Sequence, residues 1–336
     1  MDGDLLDLWV DAILIVLLAL LLDLVVGEVP NRIHPLRWMG NMLSWLDRHI
    51  RRGGPRATKF KGFLSYLLVF ALFGFVALMI CSAAHYYLGE VVWIIVTAML
   101  FKTTFAVFSF RKHCKPIQKD LENGDIEAAA EKTQMIVSRD TEGMDPKHIT
   151  SSCTETVSEN YVDSVVSPMT YFGIFGIIGG VMFRCANLMD AMWGYRNEKY
   201  GDLGYFPAKL DDVLGYMTAR ISPVFITIGA FLLRMDYKAA IPAAMEEHAK
   251  TPSPNSGWPM TAFAAALDIS MEKANVYVMG KGELPTTEDV TRSYALLELS
   301  SILFLLMVTL PLYAILGIHI QIGIEDVFVG LFEAIT

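Results

Sequence analysis

The sequence has little cysteine and no surplus of positive charge, and both features narrow the range of functions. Only four of its 336 residues are cysteines; they are widely spaced and form no CxxC pair, so a zinc or disulfide framework is not expected. A formal net charge of −9 argues against a general nucleic-acid-binding protein. The sequence also shows no internal repeat and no glycine-rich GxxxxGK loop for phosphate.

The N-terminus lacks the positive charge that a cleavable signal peptide carries. It is acidic instead, with Asp2, Asp4, Asp7 and Asp11. The apolar run that follows is long enough to cross a bilayer. We therefore expect this run to be a membrane helix that is retained.

Apolar residues, in contrast, are abundant and occur in blocks. They make up 54% of the chain, with a mean hydropathy of +0.42, and the blocks are continuous rather than alternating, which excludes a β-barrel. The sequence predicts an all-α polytopic integral membrane protein that forms a single membrane-embedded domain of residues 1–336. Its four spanning helices are expected at 5–26, 62–84, 91–110 and 295–318.

The distribution of basic residues predicts the orientation. The loop 27–61 carries eight lysines and arginines against two acids, whereas the turn 85–90 carries none. The positive-inside rule then places the N-terminus outside and the segments 27–61, 111–163 and 234–293 in the cytoplasm. We expect the protein in the inner (cytoplasmic) membrane.

Two further apolar runs, 164–183 and 221–233, leave two alternatives open. Either both cross the membrane, or they form a re-entrant or surface-lying pair. The first run is rich in glycine, and the second is too short to span alone. We favour a re-entrant region 164–233, because it would return the polar residues after 183 to the cytoplasmic side, in one cleft with those before 164.

Helical spacing groups the first set of candidate residues. Glu155, Glu159 and Asp163 follow one another at intervals of four, which places them within about 80° of one helix face, with Asn160 beside them. Such acids repel one another unless a cation lies between them, and Mg²⁺ with a nucleotide would supply one. The alternative is a solvated helix face.

Two more groups of polar residues follow. The first lies beside the glycine-rich run, where polar groups are costly unless they are used; it comprises Asn187, Asp190, Tyr195, Arg196, Asn197, Asp211, Asp212 and Arg220. The second is the proline-rich loop 251–259, in which Ser253 and Asn255 could face an anion at the start of a helix. The alternatives are a polar loop that anchors two helix ends and a rigid loop without a ligand. His34 is an expected cap or packing residue, and Arg139 with Asp140 could form a turn or contact a phosphate.

Taken in order, these motifs resemble the CbiB/CobD family of cobalamin biosynthesis, adenosylcobinamide-phosphate synthase. The similarity runs from about residue 20 to 290 and rests on the strings Asp23-Leu-Val-Val-Gly27-Glu-Val-Pro30, His34-Pro35, Met39-Gly40, Val137-Ser-Arg139-Asp140-Thr141, Ser158-Glu159-Asn160-Tyr-Val-Asp163, Asn187-Leu-Met-Asp190, Gly194-Tyr-Arg-Asn197, Asp211-Asp212, Ala219-Arg220 and Ser253-Pro-Asn255-Ser-Gly-Trp-Pro259. The sequence departs from the family pattern at Ser138, Lys209 and Gly215, where Gly, Arg and Asn are usual. It also lacks a glycine pair near Met271-Glu272.

The resemblance implies an ATP-dependent amide-forming ligase that uses Mg²⁺. It would join adenosylcobyric acid to aminopropanol, generally as its phosphate, and it would contact membrane lipid. It could also associate with itself or with other membrane enzymes of cobalamin assembly. The implied catalytic residues are Glu155, Glu159, Asn160, Asp163, Asp190 and Arg196. The implied substrate or phosphate contacts are His34, Arg139, Asp140, Asn187, Tyr195, Asn197, Arg220, Ser253 and Asn255. The implied metal ligands are Glu159, Asp163, Asp211 and Asp212.

Two other functions compete with the ligase. One is a non-catalytic membrane sensor of the related AmpE type. The other is a transporter, which would require polar residues inside spanning helices and paired inverted repeats; only Lys102 fits. Retention of the Glu-Asn helix and the Ser-Pro-Asn loop favours the enzyme.

The orientation is testable by cysteine labelling in intact cells. A cysteine introduced within 51–56 should not react with an impermeant reagent added outside, because the excess of lysine and arginine holds this loop in the cytoplasm. A cysteine within the turn 85–90 should react and serves as the control. Labelling within 51–56 would refute the orientation.

Overall fold

The apolar blocks fold into helices in a computed structural model, which describes residues 5–335. In chain order the helices are α1 (Leu5–Val25), α2 (Pro35–His49), α3 (Pro55–Ala83), α4 (Glu90–Lys102), α5 (Ser109–Glu122), α6 (Ile126–Gln134), α7 (Pro146–Tyr161), α8 (Ser167–Phe175), α9 (Ile177–Trp193), α10 (Tyr205–Leu232), α11 (Tyr237–Glu247), α12 (Gly257–Leu267), α13 (Thr287–Phe304), α14 (Leu310–Leu312) and α15 (Ile318–Ile335). π-Helical turns extend or join several of them, at Ala84–Leu88, Val162–Val166, Leu305–Thr309 and Tyr313–Gly317. The strands β1 (Ser270–Lys273) and β2 (Tyr277–Gly280) pair as an antiparallel hairpin.

Within residues 5–335, four helical segments are long and apolar enough to cross a membrane. They are Leu6–Val25, Pro55–Leu88, Tyr205–Leu232 and Thr287–Ala334. The prediction of an all-α polytopic membrane protein with four spanning helices is therefore confirmed, although one of the four, Tyr205–Leu232, is not among those expected. The last one also extends well beyond 318, and π-helical turns on either side of α14 accommodate Pro311 within it.

The predicted spanning helix 91–110 is wrong. Helix α4 ends at Lys102, after 13 residues, which is too short to cross the hydrocarbon core. The hydroxyls of Thr103 and Thr104 donate to the carbonyls of Leu100 and Phe101, both at 2.7 Å. These side-chain bonds occupy carbonyls of the last turn and compete with continuation of the helix.

The run 221–233, expected to be too short to span, is instead the second half of α10. The helix continues backwards through Arg220, whose guanidinium lies 3.3 Å from the centroid of the Tyr216 ring. Aromatic contact stabilises the arginine charge without ending the helix. Hydropathy alone could not show this, because it treats Arg220 as a boundary.

The glycine-rich run 164–183 reverses direction at Gly176. This residue separates α8 from α9 and has φ +66°, a conformation that favours glycine. The rings of Tyr171 and Phe183 stack with centroids 5.8 Å apart, whereas twelve residues of straight helix would separate them by about 18 Å. The run is thus a helical hairpin rather than one straight crossing. Its re-entrant placement in a membrane stays a prediction.

The chain forms two compact units. The first comprises Met1–Phe105, Ser167–Leu214 and Leu305–Thr336, and the second comprises Ala106–Val166 and Gly215–Phe304. Each is assembled from segments that are distant in the sequence, so neither corresponds to a continuous stretch. The single membrane-embedded domain of residues 1–336 stays a prediction.

The first unit packs its helices around aromatic rings. Phe172 of α8 stacks on Phe101 of α4 at 3.6 Å and on Tyr313 at 4.4 Å. An ion pair is buried in the same unit, where Lys102 Nζ lies 2.6 Å from Asp23 Oδ1 of α1 and both side chains are almost inaccessible. Lys102 therefore pairs inside the bundle.

The second unit places α7 against α12, α13 and the β-hairpin. Buried Tyr161 and Phe263 contact each other with ring centroids 5.8 Å apart. Arg111 of α5 forms a two-point ion pair with Glu298 of α13. These contacts hold the acidic helix α7 at the centre of the unit.

Breaking the buried Asp23–Lys102 pair should destabilise the protein strongly. Lys102→Met leaves a buried carboxylate without its counter-charge, which costs about 3–5 kcal/mol. The double variant Asp23→Asn/Lys102→Met should recover most of this loss. Thermal unfolding in detergent measures both.

The matched control is Lys132→Met. Lys132 pairs with Asp120 but is 37% exposed, so its loss should cost less than about 1 kcal/mol. If the double variant is as unstable as Lys102→Met, the ion pair is not the cause of the instability.

Candidate functional site

Helix α7 begins as its sequence predicts. The Asp145 carboxylate accepts hydrogen bonds from the amides of Lys147 (2.9 Å) and His148 (3.1 Å), and Pro146 occupies the first helical position. This cap fixes the helix start. It thereby sets which face of α7 carries the acids.

Glu155 is buried and already paired. Its carboxylate accepts hydrogen bonds from Arg139 at 2.5 Å, from the Tyr277 hydroxyl at 2.7 Å and from the Ser151 hydroxyl at 3.2 Å. Burial and the Glu155 charge raise the pKa of Tyr277, so the phenol stays a donor. We expected Glu155, Glu159 and Asp163 to share one cation. This expectation changes for Glu155, because Arg139 already neutralises its charge.

Glu159 lies one turn beyond Glu155, and its side chain is exposed. The surrounding protein nevertheless displaces enough water to raise its pKa; Lys273 opposes this shift and Glu155 adds to it. A carboxylate in such a setting gains from a cation or a proton. The role of Glu159 as a ligand-binding acid of this face stays a prediction.

Asn160 and Asp163 occupy the end of the acidic face. The Asn160 amide donates to the Thr156 carbonyl at 2.9 Å and accepts from the Ser164 hydroxyl at 2.9 Å. Asp163 lies within the π-helical turn Val162–Val166, which changes the regular four-residue spacing. Such turns are frequent at functional sites.

A cavity of about 520 Å³ opens beside this cluster. It is lined in part by Arg139, Asp140, His148, Glu272 and Lys273. Two cationic side chains in one wall suit a phosphate or carboxylate ligand. Asp140, in contrast, accepts the Glu142 amide at 3.0 Å and so shapes the turn.

The proline-rich loop is organised by its own side chains. The Ser253 hydroxyl accepts the amides of Asn255 (3.2 Å) and Ser256 (3.3 Å), so it shapes the turn that precedes α12. Asn255 is buried, and its Oδ1 lies 3.5 Å from Arg220 Nη1. A Cβ at Gly215 would stand 2.7 Å from Asn255 Nδ2, which gives a steric reason for glycine there.

Arg220 of α10 is the charged group beside this loop. Its guanidinium lies over the Tyr216 ring and 5.1 Å from the Trp258 ring centroid, and Trp258 in turn stacks on His248 at 4.1 Å. Stacked arginines are held in place while their edges still bind anions. The prediction that the loop binds a phosphate stays a prediction, with Arg220 as the contact that the geometry favours.

In the first unit, the end of α9 and the start of α10 bring acids together. Asp190 and Asp212 lie close to Asp211, and Asn187 interacts with the Asp211 carboxyl. Asn187 also accepts from Arg184 Nη1 at 3.0 Å. Asp212 pairs with Lys209 at 2.9 Å.

The loop between α9 and α10 contains the remaining residues of this group. Tyr195, Arg196 and Asn197 are exposed. The Asn197 side chain accepts the Tyr200 amide at 2.9 Å and thus shapes the turn. Gly204 lies against the Trp193 carbonyl, and a Cβ there would come within 1.8 Å of the oxygen, so the loop closes tightly on the end of α9.

His34 is the cap of α2. Its Nδ1 accepts the Leu36 amide at 3.2 Å. Burial, together with the charges of Lys102 and Arg184, lowers the pKa of His34. The ring is therefore neutral and able to accept this bond.

The acids of the first unit fit a divalent cation better than those of α7. Within residues 5–335, no group of three or more His, Cys, Asp or Glu side chains is arranged to hold a metal ion by itself. In the same part of the chain, Asp211 Oδ1 is buried without a hydrogen-bond partner, and Asp190 lies beside it. Mg²⁺ needs only one or two carboxylates when phosphates and water complete its shell.

Comparison with known proteins identifies the family. A model of the CobD/Cbib protein family matches residues 16–306. The chain belongs to the CobD/CbiB family. No solved structure matches it.

Curated relatives of the CobD/CbiB chain cover most of its length. A probable cobalamin biosynthesis protein CobD from Methanocaldococcus jannaschii is 32% identical over 88% of this chain and 97% of its own. One from Methanococcus aeolicus is 36% identical over 81% and 88%. The cobalamin biosynthesis protein CobD of Dehalococcoides mccartyi is 37% identical over 80% and 87%.

The sequence did not indicate several residues that contact the candidate residues in the second unit. Tyr277 and Lys273 stand alone in the sequence, with no spacing that relates them to Glu155. Trp258 lies within a motif that was recognised, but nothing local indicates that it faces Arg220. Tertiary packing alone brings these residues together. Arg184 of the first unit differs, because it lies three residues before Asn187 on α9 and helical spacing relates the two side chains.

Glu159→Gln should not destabilise the protein at neutral pH. A carboxyl whose pKa is raised in the folded state opposes folding when it is ionised, and this effect disappears as the pH falls towards the unfolded value of about 4.3. The variant should thus unfold at the same or a higher temperature at pH 7. The difference should shrink near pH 4.

The control is Glu131→Gln on the exposed face of α6, which should leave the unfolding temperature unchanged. A lower unfolding temperature of Glu159→Gln at pH 7 would show that the ionised carboxylate stabilises the fold. That result would contradict the ligand-binding role predicted for Glu159.

Proposed function

We propose that this protein acts in cobalamin biosynthesis as an ATP-dependent amide-forming ligase. It joins a carboxylate of adenosylcobyric acid to the amine of aminopropanol phosphate and yields adenosylcobinamide phosphate. The observation that carries the proposal is the CobD/Cbib match across residues 16–306, together with relatives named for cobalamin biosynthesis.

The proposed chemistry has two steps. The carboxylate oxygen attacks the γ-phosphorus of ATP, which forms an acyl phosphate and releases ADP. The amine, once it has lost a proton, attacks the acyl carbon; a C–N bond forms, the C–O bond breaks, and phosphate leaves. A site for these steps needs cationic groups for phosphate and a base for the ammonium.

The second unit contains both kinds of group. Arg139 and Lys273 line the cavity of about 520 Å³ and can bind phosphate oxygens. Glu155 forms an ion pair with the Arg139 guanidinium. It is therefore a positioning residue. Glu159, with its raised pKa, is the candidate base, since a carboxylate closer to neutrality accepts a proton more readily.

In the first unit, Asp190 and Asp211 would hold Mg²⁺, and the unpartnered Asp211 Oδ1 supports this assignment. When bound, the ion would supply positive charge for an anionic ligand of this unit. Asn187 fixes the orientation of Asp211. Asp212 is paired with Lys209 and is the weaker candidate of the two neighbouring acids.

Arg220 is proposed as the contact for the phosphate of the amine substrate. Stacking on Tyr216 holds its planar guanidinium in one orientation, which reduces the entropy lost on binding. Asn255 adds a neutral polar group beside the Arg220 guanidinium. We further propose that the site faces the cytoplasm, where ATP is available.

The decisive experiment combines purified protein, ATP-Mg, adenosylcobyric acid and aminopropanol phosphate, with product detection by mass spectrometry. The wild type should form the amide and ADP in equal amounts. Glu159→Gln should reduce kcat by about 10²–10⁴-fold, the usual contribution of a general base. Glu131→Gln should keep full activity.

Two outcomes would contradict the proposal. Near-normal turnover of Glu159→Gln would show that Glu159 is not the base and belongs to a solvated helix face. Absence of any product from folded wild-type protein would favour the non-catalytic sensor.

A further inference from the structure

Helix α2 lies between two membrane-spanning helices. It is joined to α1 by residues 26–34 and to α3 by residues 50–54. Consecutive spans cross a bilayer in opposite directions, so the end of α1 and the start of α3 emerge at the same membrane surface. The short α2 between them is therefore held close to that surface.

One face of α2 is buried against its own unit. Met39, Leu43 and Leu46 are almost inaccessible and fall within about 60° of one another on the helix. Met39 Sδ lies 3.9 Å from Cys185 of α9. The helix is thus anchored, and its remaining surface is available for another partner.

The next face of α2 exposes two tryptophans. Trp38 is 47% exposed and Trp45 is 50% exposed, and a spacing of seven residues places them within about 20° of each other. Tryptophan is enriched at the boundary between lipid and water, where its ring is apolar and its N–H is polar. Their exposure is expected if this face lies in that boundary.

Beyond the tryptophans lies a basic face. Arg37 and Arg48 are eleven residues apart, again within about 20° on the helix, and Arg51 and Arg56 follow in the chain. All four are exposed. Within residues 5–335 none of them has a carboxylate partner, because Asp47 is occupied by Arg52 and Lys199.

We propose that this surface of α2 binds the headgroups of anionic phospholipids. The order around the helix is buried apolar residues, then Trp38 and Trp45, then arginines, which matches the gradient from hydrocarbon to headgroup. The arginines supply charge-assisted hydrogen bonds to lipid phosphates. Zwitterionic lipids have no net charge and gain little from this cluster. The binding does not depend on the proposed ligase activity.

Native mass spectrometry of the detergent-solubilised protein tests the proposal by titration with phosphatidylglycerol and, separately, with phosphatidylcholine. The wild type should bind phosphatidylglycerol more tightly. Arg37→Gln/Arg48→Gln should weaken that binding about 30-fold and leave phosphatidylcholine unaffected, given the usual contribution of each arginine near a membrane.

The matched control is Lys115→Gln/Lys119→Gln, which removes the same charge from exposed positions on α5. It should bind phosphatidylglycerol as the wild type does. Equal loss in both double variants would show a general charge effect and overturn the proposal. So would displacement of the lipid by millimolar inorganic phosphate, since a free anion would then occupy the site.

Tryptophan fluorescence in lipid nanodiscs supplies a second readout. Lipids brominated near the headgroup end of their chains should quench the wild type more than Trp38→Phe/Trp45→Phe, because the two rings lie at that depth. Equal quenching of both proteins would place α2 away from the interface and refute the proposed surface.

Discussion

The turn between α8 and α9 depends on a hydrogen bond from the backbone of Ile177 to the Gln321 side chain. The Ile177 amide lies at the start of α9 and would have no partner in an apolar setting, yet it donates to Gln321 Oε1 at 3.1 Å. A buried backbone amide without a hydrogen-bond partner costs free energy. Gln321 supplies this partner, and its amide donates in turn to Glu325, which also accepts from the Trp93 indole.

This turn has consequences for the placement of the candidate site. Because the chain reverses at Gly176, α9 returns instead of continuing away, and Asn187 and Asp190 near its end follow that direction. A Cβ at Gly176 would stand 2.5 Å from Gln321 Oε1, so the glycine and the glutamine require each other.

In the second unit, the main constraint is the burial of the charged Glu155 carboxylate. Glu155 has almost no contact with solvent, and an unpaired carboxylate there would be very costly. Arg139 neutralises the Glu155 charge, and the Tyr277 hydroxyl donates a hydrogen bond to the carboxylate in place of water. Glu159, one turn away, remains exposed and without a direct ion pair, which leaves it available to a ligand. One acid of the helix is thus fixed by its partners, and the next is the one that we propose as the base.

Composition and local pattern were sufficient for part of this description. Continuous apolar blocks predict spanning helices because each block exceeds the bilayer thickness, and Asp145-Pro146 predicts the start of α7 because capping is local. The ordered motifs indicated the family. Helix α4 was predicted too long because hydropathy does not show that the hydroxyls of Thr103 and Thr104 bond carbonyls of the last turn. Helix α10 was predicted too short because hydropathy treats Arg220 as a boundary and does not register its contact with the Tyr216 ring. Only tertiary structure decided that Arg139 neutralises Glu155, that Asp211 keeps an unpartnered oxygen and that the chain turns back at Gly176. Each of these depends on contacts between residues far apart in the sequence, and no local periodicity encodes such contacts.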